Sequence, residues 1–310
     1  GGTAVGHSQV ILRSRTIEGP YEAFPGNPIM TQRDLPEDRP FPVTSVGHAD
    51  FVIDDAGKWW VTFLGVRPYA GDYYNTGRET FLMPVRWEDG WPVITRGQEM
   101  VPYIGARPNL PAQAAAAVPH TGNFSVREEF NSTELPNYFL FIRNLRERWY
   151  QLGDGALSIT ARSEHVGEGG QPSFIGRRQQ HLNAQASTVV RFDPRNASDE
   201  AGLVAFQNDE YYYALLVGEE DGRRAVRLYR RAGPNDPTQG VVVASAPLSG
   251  NGDAAVHLRI DARGDKYDFY YGAREGEWTA LHQDADGTIL STRTAGGFVG
   301  VTFGLYAYAE

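Results

Sequence analysis

The sequence predicts an all-β protein. Three observations carry this: glycine (35) and proline (19) are frequent, Trp, Tyr and Phe make up 12% of the chain, and no stretch before residue 110 offers a capped helix longer than two turns. Such a composition suits many short strands joined by tight turns. Ser8–Ser14 reads as the first strand, and Gly19-Pro20 and Pro25-Gly26-Asn27-Pro28 mark turns after it. Ala49–Ile53 and Trp59–Leu64 flank Asp54-Asp55-Ala56-Gly57-Lys58, a hairpin with its glycine where a positive φ is wanted. Thr80–Trp87 and Trp91–Ile94 flank Glu88-Asp89-Gly90 in the same way.

The composition changes abruptly at Pro111-Ala112-Gln113-Ala114-Ala115-Ala116-Ala117-Val118-Pro119. Flanking prolines favour a linker over a short helix. The predicted division is therefore residues 1–110, a linker over 111–122, and a second domain over 123–310. In the second block the strands are longer and alternate clearly. Phe139–Arg143, Gln185–Phe192, Gly202–Gln207, Tyr211–Val217 and Ala225–Arg230 come first, then Val241–Ala246, Val256–Ile260, Tyr267–Tyr271 and Val299–Tyr306. Strands of this number, broken by Gly, Asp and Asn turns, predict an antiparallel sandwich or jelly roll. In Thr188–Phe192 and His257–Asp261 one face is apolar and the other polar, which places one face of each sheet on the core. No internal repeat is visible there, which disfavours a propeller or solenoid for this block.

Composition also excludes function classes. At 310 residues the chain is long enough for two domains with separate cores. A formal net charge of −9 disfavours a nucleic-acid partner and an anionic membrane surface. The longest apolar runs, such as Gly240–Ala246, are far too short to span a bilayer. Without cysteine there are no disulfides, thiol nucleophiles, zinc–thiolate sites or iron–sulfur clusters, and the compartment stays open. Gly1-Gly2-Thr3 is neither an initiator methionine nor a signal peptide, so the chain is expected to begin within a domain.

Phosphate-binding glycine loops, Gly-x-Ser-x-Gly and His-Glu-x-x-His are all absent from the sequence. Carboxylates and aromatics are plentiful, which suits sugar chemistry, but Asp54, Asp55, Glu88 and Asp89 read first as turn residues. Two polar residues stand at the mouths of apolar strands. His48, in Val46-Gly47-His48-Ala49-Asp50, is either a hydrogen-bonded structural histidine or a ligand. Arg78, in Asn75-Thr76-Gly77-Arg78-Glu79-Thr80, either pairs with a nearby carboxylate or binds a ligand. Tyr211-Tyr212-Tyr213 and Tyr270-Tyr271 could form a sugar platform, but strand alternation buries at least half of each, so they read as core.

At these same residues the sequence resembles the C-terminal part of a glycoside hydrolase family 43 enzyme of the β-xylosidase and α-L-arabinofuranosidase type. The matching runs are Gly1-Gly2-Thr3 with His7 and Arg13-Ser14, Gly19-Pro20-Tyr21-Glu22, Pro25-Gly26-Asn27-Pro28-Ile29 and Gly47-His48-Ala49-Asp50. They continue through Gly77-Arg78-Glu79-Thr80, Trp87-Glu88-Asp89-Gly90-Trp91-Pro92, Arg177-Arg178-Gln179-Gln180-His181 and Gly297-Phe298-Val299-Gly300. The order of the set, over nearly the whole chain, makes it specific.

The resemblance implies a five-bladed β-propeller with an axial sugar pocket, followed by a concanavalin-like β-sandwich. It implies an exo-acting, inverting hydrolase in which an Asp base activates water, a Glu acid protonates the leaving oxygen and a second Asp tunes the acid. It places Thr3, Arg78 and Phe298 against the sugar, and His48 beside a calcium ion. The substrates implied are xylo-oligosaccharides or arabinoxylan. In the family pattern the three acidic residues all precede the stretch matching Gly1-Gly2-Thr3, so no catalytic carboxylate is expected on this chain. At ~40–50 residues per blade, residues 1–110 supply about two blades. The remainder is expected on a missing N-terminal half, carried by a second polypeptide or an unrecorded stretch. The rival expectation is a non-catalytic carbohydrate-binding or scaffold fragment.

Overall fold

The computed structural model describes residues 4–114, 116, 118–119, 122–250 and 252–310. In the first block the strands are β1 (Ser8–Gln9), β2 (Leu12–Arg13), β3 (Glu22–Ala23), β4 (Met30–Thr31) and β5 (Thr44–Ile53), then β6 (Trp59–Val66), β7 (Glu79–Pro84), β8 (Arg86–Glu88) and β9 (Trp91–Val93). All pair antiparallel, as β1 with β4, β2 with β3, β5–β6–β7, and β8 with β9. Ile29, Met30, Val43, Val46, Val61 and Phe63 form their buried core.

Asp54 shows why the long β5–β6 hairpin closes where the sequence predicts. Its carboxylate accepts hydrogen bonds from the Ala56 and Lys58 amides at 3.0 and 2.9 Å and from Trp60 Nε1 at 3.0 Å. Those bonds, the Trp60 one foremost, hold its pKa below the usual carboxylate range. Gly57, with φ 75°, completes the turn.

Two predicted strands are broken in the structure. Ser8–Ser14 divides into β1 and β2 because the Asn27 side chain takes both backbone groups of Ile11. Ile11 N donates to Asn27 Oδ1 at 2.9 Å, and Asn27 Nδ2 donates to Ile11 O at 2.8 Å. An amide side chain thus takes ladder positions at that point, and Phe24 N adds a second donor to Ile11 O at 3.2 Å. Thr80–Trp87 divides at Val85, whose N–H donates to Trp59 O at 2.9 Å before β8 turns back onto β9.

The described residues between 94 and 139 carry neither strand nor helix. The second block then holds β10 (Leu140–Phe141), β11 (Tyr150–Gly153), β12 (Ala156–Ile159), β13 (Ser173–Arg178), β14 (Asn183–Val190), β15 (Glu200–Asn208) and β16 (Tyr211–Glu220). It continues with β17 (Arg223–Ala232), β18 (Val241–Pro247), β19 (Val256–Arg263), β20 (Lys266–Gly272), β21 (Thr279–Asp286) and β22 (Thr302–Tyr308). Seven strands form one sheet in the order β10-β13-β22-β15-β16-β17-β18, and four form another, β14-β19-β20-β21. Leu215, Val217, Leu228, Leu258, Ile260 and Phe269 pack between the two.

The prediction of one apolar face per sheet holds for β19, where Val256, Leu258 and Ile260 are buried and His257, Arg259 and Asp261 are not. It fails for β16. Tyr213 and Leu215 face the inter-sheet core, while Tyr212, Ala214 and Leu216 join Phe174 and Tyr306 in a second core on the opposite face. Val166 and Ile142, from the segment that crosses outside the sheet, cover that core. The unbroken apolar run Tyr211–Val217 is the mark of a strand buried on both faces.

A polar seam joins the blocks. Asn75 is fully buried, and every polar group of its side chain is used. Its Nδ2 donates to Tyr267 Oη at 3.1 Å and to Gly287 O at 3.0 Å, and its Oδ1 accepts from Tyr69 Oη at 2.9 Å. Its backbone O accepts from Val301 N at 2.8 Å. Tyr267 Oη donates onward to Gln179 Oε1 at 2.6 Å, and Ser291 Oγ accepts from Tyr74 N at 2.9 Å while donating to Tyr74 O at 3.1 Å. Beside them two glycine backbones meet. A Cβ on Gly77 would lie 2.3 Å from Gly300 N, and one on Gly300 would lie 2.3 Å from the Thr76 carbonyl carbon.

Two outcomes follow from this packing. Gly77→Ala meets backbone and also has an unfavourable φ of 68°, so strain and overpacking together should cost ~2–5 kcal/mol. Gly57→Ala, with φ 75° and nothing within 4 Å, should cost only about 1 kcal/mol. Denaturant titration of both variants checks this, and equal losses would mean that the backbones are not in contact.

The second outcome concerns His165, which is 3% exposed among the Tyr212, Tyr306 and Tyr308 rings, with Glu168 and Arg231 facing it. Burial, with a lesser contribution from Arg231 and against the pull of Glu168, lowers its pKa to about 4. The unfolded chain takes up that proton near pH 6.5 and the folded chain does not, so stability declines as pH falls from about 6.5 to about 4, by roughly 3 kcal/mol. His165→Gln keeps an acceptor for the Gly167 amide and should flatten the pH dependence of the urea midpoint across that window.

Candidate functional site

The seam delivers one cation and one aromatic ring to the same place. Arg78 follows Gly77 at the entrance to β7, and Phe298 follows Gly296 and Gly297, whose φ values of 75° and 73° turn the chain outward. Arg78 N donates to Phe298 O at 3.4 Å, and the guanidinium carbon lies 3.7 Å from the Phe298 ring centroid. A cation over an aromatic face at this distance is attracted by the ring quadrupole. Phe298 is 57% exposed although it lies against a charge, so the ring covers Arg78 without itself being part of a core. The Arg78 Nε is buried and has no hydrogen-bond partner among the described residues. It is a donor held out of water with its bonding capacity unused.

The groups around the pair fix its two sides. On the first block, Arg67 donates to both carboxylate oxygens of Glu79, from Nε to Oε1 at 2.8 Å and from Nη2 to Oε2 at 2.6 Å. Arg67 Nη2 also donates to Gln180 O at 2.9 Å, and Thr76 Oγ1 donates to Glu79 Oε1 at 3.0 Å. The Glu79 hydrogen bonds raise the Arg67 pKa further, so Arg67 stays cationic. Glu79 is therefore occupied by Arg67 and Thr76, and the neighbouring Arg78 is directed to the ring. On the sandwich, Val299 O accepts from Thr292 Oγ1 at 2.7 Å and from Gln207 Nε2 at 3.0 Å, which anchors the segment carrying Phe298.

Of the residues singled out in the sequence, the structure brings Arg78 and Phe298 together. His48 stands elsewhere, exposed on β5 at a bulge between Gly47 and Asp50, with φ 55°. His7 packs beneath it, its Nδ1 2.9 Å from Ser45 O and its ring where a Gly47 Cβ would be. Calcium takes six to eight oxygen ligands. Among the described residues no group of three or more His, Asp or Glu side chains gathers around His48, so its surroundings do not by themselves fit a calcium shell. Thr3 lies outside the described residues. Of the carboxylates read as turn residues, Asp54 caps its hairpin, whereas Glu88 ends β8 and pairs with Arg96 at 2.7 Å. Sequence reasoning missed Asn75, Gln207 and Thr292. Asn75 stands in the motif quoted for Arg78, but its partner Tyr267 is 192 residues away.

Comparison with known proteins gives this geometry its context. Residues 1–92 match the glycosyl hydrolases family 43 model, and residues 127–310 match the model of the β-xylosidase C-terminal concanavalin A-like domain. A non-reducing-end α-L-arabinofuranosidase of Bacteroides ovatus is 36% identical over 99% of this chain and 55% of its own length. A β-xylosidase of Bacillus subtilis is 30% identical over 98% of this chain and 58% of its own. The chain thus spans little more than half the length of these relatives. Among solved structures, the Bacteroides ovatus GH43B protein superposes with a TM-score of 0.85 at 34% identity, covering 99% of this chain and 58% of that one. A xylan β-1,4-xylosidase of Bacillus halodurans gives 0.84 at 26% identity, covering 99% and 58%. The fold is all-β, part of a β-propeller followed by a concanavalin-like β-sandwich, and with both domain models matched in order the chain belongs to glycoside hydrolase family 43.

Proposed function

We propose that this chain is the C-terminal part of an exo-acting, inverting glycosidase that releases terminal xylose or arabinofuranose from xylo-oligosaccharides or arabinoxylan. The Arg78 guanidinium lying against the Phe298 ring carries the reading. It is a cation held against an exposed aromatic ring, which suits a sugar: C–H faces against the ring and hydroxyls to the terminal nitrogens of the guanidinium. The names of the relatives, an arabinofuranosidase and xylosidases, support a pentose as that sugar.

Inversion needs a protonated acid and an ionised base about 6.5–9.5 Å apart, with water between the base and the sugar. In this reading both come from outside residues 1–310, on a preceding stretch or a second polypeptide that completes a five-bladed ring. The distribution of exposed apolar side chains supports that. Fourteen of the nineteen large hydrophobics exposed among the described residues lie before residue 111, including Val52, Ile53, Leu82 and Ile104. Residues 4–110 thus leave bare the kind of surface that neighbouring blades cover. Arg78 binds the terminal sugar and, as a nearby cation, favours the ionised form of the base. Calcium at His48 belongs to the same reading only if its oxygens come from water and from residues outside this chain.

In an assembly containing the acid and base, Arg78→Ala should lower kcat/KM on 4-nitrophenyl xyloside and arabinofuranoside by ~10²–10³-fold with Tm unchanged, as for other lost preorganised donors. Phe298→Ala should raise KM more than it lowers kcat. Near-normal turnover by the Arg78 variant would refute the assignment and favour a sugar-binding fragment. Intact mass under denaturing conditions, read against the 34.3 kDa of this chain, shows whether the remaining blades are covalently joined or separate.

A further inference from the structure

We propose that the segment 160–171, which crosses outside the seven-stranded sheet, is an acid-released strap whose catch is the neutral His165 ring. The segment forms no strand or helix, and only His165, Val166 and Gly167 within it are buried. Arg231 Nη1 on β17 donates to Gly167 O at 2.8 Å, and Val166 N donates to Tyr306 Oη on β22 at 3.3 Å. Gly167 is pressed against the loop after β17, where an added Cβ would lie 2.2 Å from Thr238 O. Gly169, with φ 74°, and Gly170 follow the buried triplet and give the chain a point at which to swing.

His165 closes the buried turn as an acceptor. Its Nδ1 takes a hydrogen bond from Gly167 N at 3.1 Å, while His165 N donates to Glu168 Oε2 at 2.8 Å and Glu168 N donates to His165 O at 3.1 Å. Only an unprotonated Nδ1 can accept, so the Gly167 bond exists in the neutral ring alone. A proton there removes that bond and adds a positive charge facing Arg231. The surrounding groups do not offset this. Tyr212 of β16 and Tyr306 and Tyr308 of β22 are buried and neutral, with pKa values raised by burial. Behind them, Glu200 of β15 is taken by Arg227 and Tyr229, and Asp236 accepts from Ala232 N at 2.8 Å. Glu168 favours the charged ring, but burial outweighs it and leaves the folded pKa at about 4. A released ring takes up its proton near pH 6.5, so the strap is held above that pH and loosens as pH falls towards 4. Val166 is the one buried apolar side chain of the strap, so the strap can lift while the sandwich stays folded. Lifting bares the outer core that includes Phe174, Tyr212 and Tyr306.

Hydrogen exchange followed by NMR on the chain tests this. The amides of residues 165 to 168 are all hydrogen-bonded and report the strap. Those of Leu258 and Ile260, on β19 with a paired strand on each side, report the sandwich core. Relative to pH 7, protection of the strap amides, corrected for intrinsic exchange, should fall about tenfold by pH 5.5 and about 50-fold by pH 4.5. That loss should be insensitive to low urea, whereas the β19 amides stay more protected and respond to urea. His165→Gln keeps an uncharged acceptor and should preserve strap protection down to pH 4.5. Strap and β19 amides exchanging in step, with one urea dependence at every pH, would overturn the proposal. So would an undiminished acid response in His165→Gln, which would make another group the catch. The first comparison needs only the wild-type chain and stands even if the variant does not fold.

Discussion

The position of Arg78 relative to Phe298 depends on one buried amide. Asn75 receives one side-chain hydrogen bond and gives two, and its backbone carbonyl takes a further bond from Val301, three residues beyond Phe298 in the chain. Removing one partner of a buried polar group costs about 1–3 kcal/mol for the group left behind. The arrangement is therefore held in an all-or-none way: a sliding shift of one block past the other would leave several of these groups unmet together. Apolar surface is non-directional and would tolerate such a shift.

The glycine pair sets the distance where the amide sets the register. Gly77 and Gly300 let two main chains approach more closely than any side chain permits, and each is one or two residues from a member of the cation–ring pair. The short spacing from anchor to functional residue leaves little chain in which error can accumulate. On the sandwich side, Thr292 and Gln207 both bind the carbonyl of Val299, so Phe298 is held through its C-terminal neighbour while its ring stays exposed.

How much of this was legible in the sequence depends on the range of the interaction. The β5–β6 hairpin was legible because its cause is local: Asp54 and Gly57 lie within the turn they make. The sandwich strands were legible from apolar alternation, although β16 broke the expected pattern because a second core covers its outer face. β21 was missed because Thr279–Asp286 is a polar, largely exposed edge strand with no apolar period to read. The resemblance placed Arg78 and Phe298 at one sugar, but no local pattern in the chain specifies that the ring lies directly on the guanidinium. Gln207 was invisible for the same reason. It sits in an ordinary strand, and only the structure shows an amide held at one end and unmet at the other.

A site divided between two domains needs a reason to remain one site, since relative motion is the default when domains share a modest interface. Here the two sides differ in kind. The sandwich has a core on each face of its central strands, so the segment from Ser291 to Val301 is mounted on a rigid base. The first block leaves much of its apolar surface exposed and carries Arg78 close to its contact with that base. A buried polar seam is what lets the self-sufficient domain impose its geometry on the one that is not. Directional bonds specify a single arrangement, and the paired glycines remove the side chains that would hold the two backbones apart. Phe298 then acts as a fixed wall for Arg78, whose guanidinium carbon lies 3.7 Å from the ring centroid.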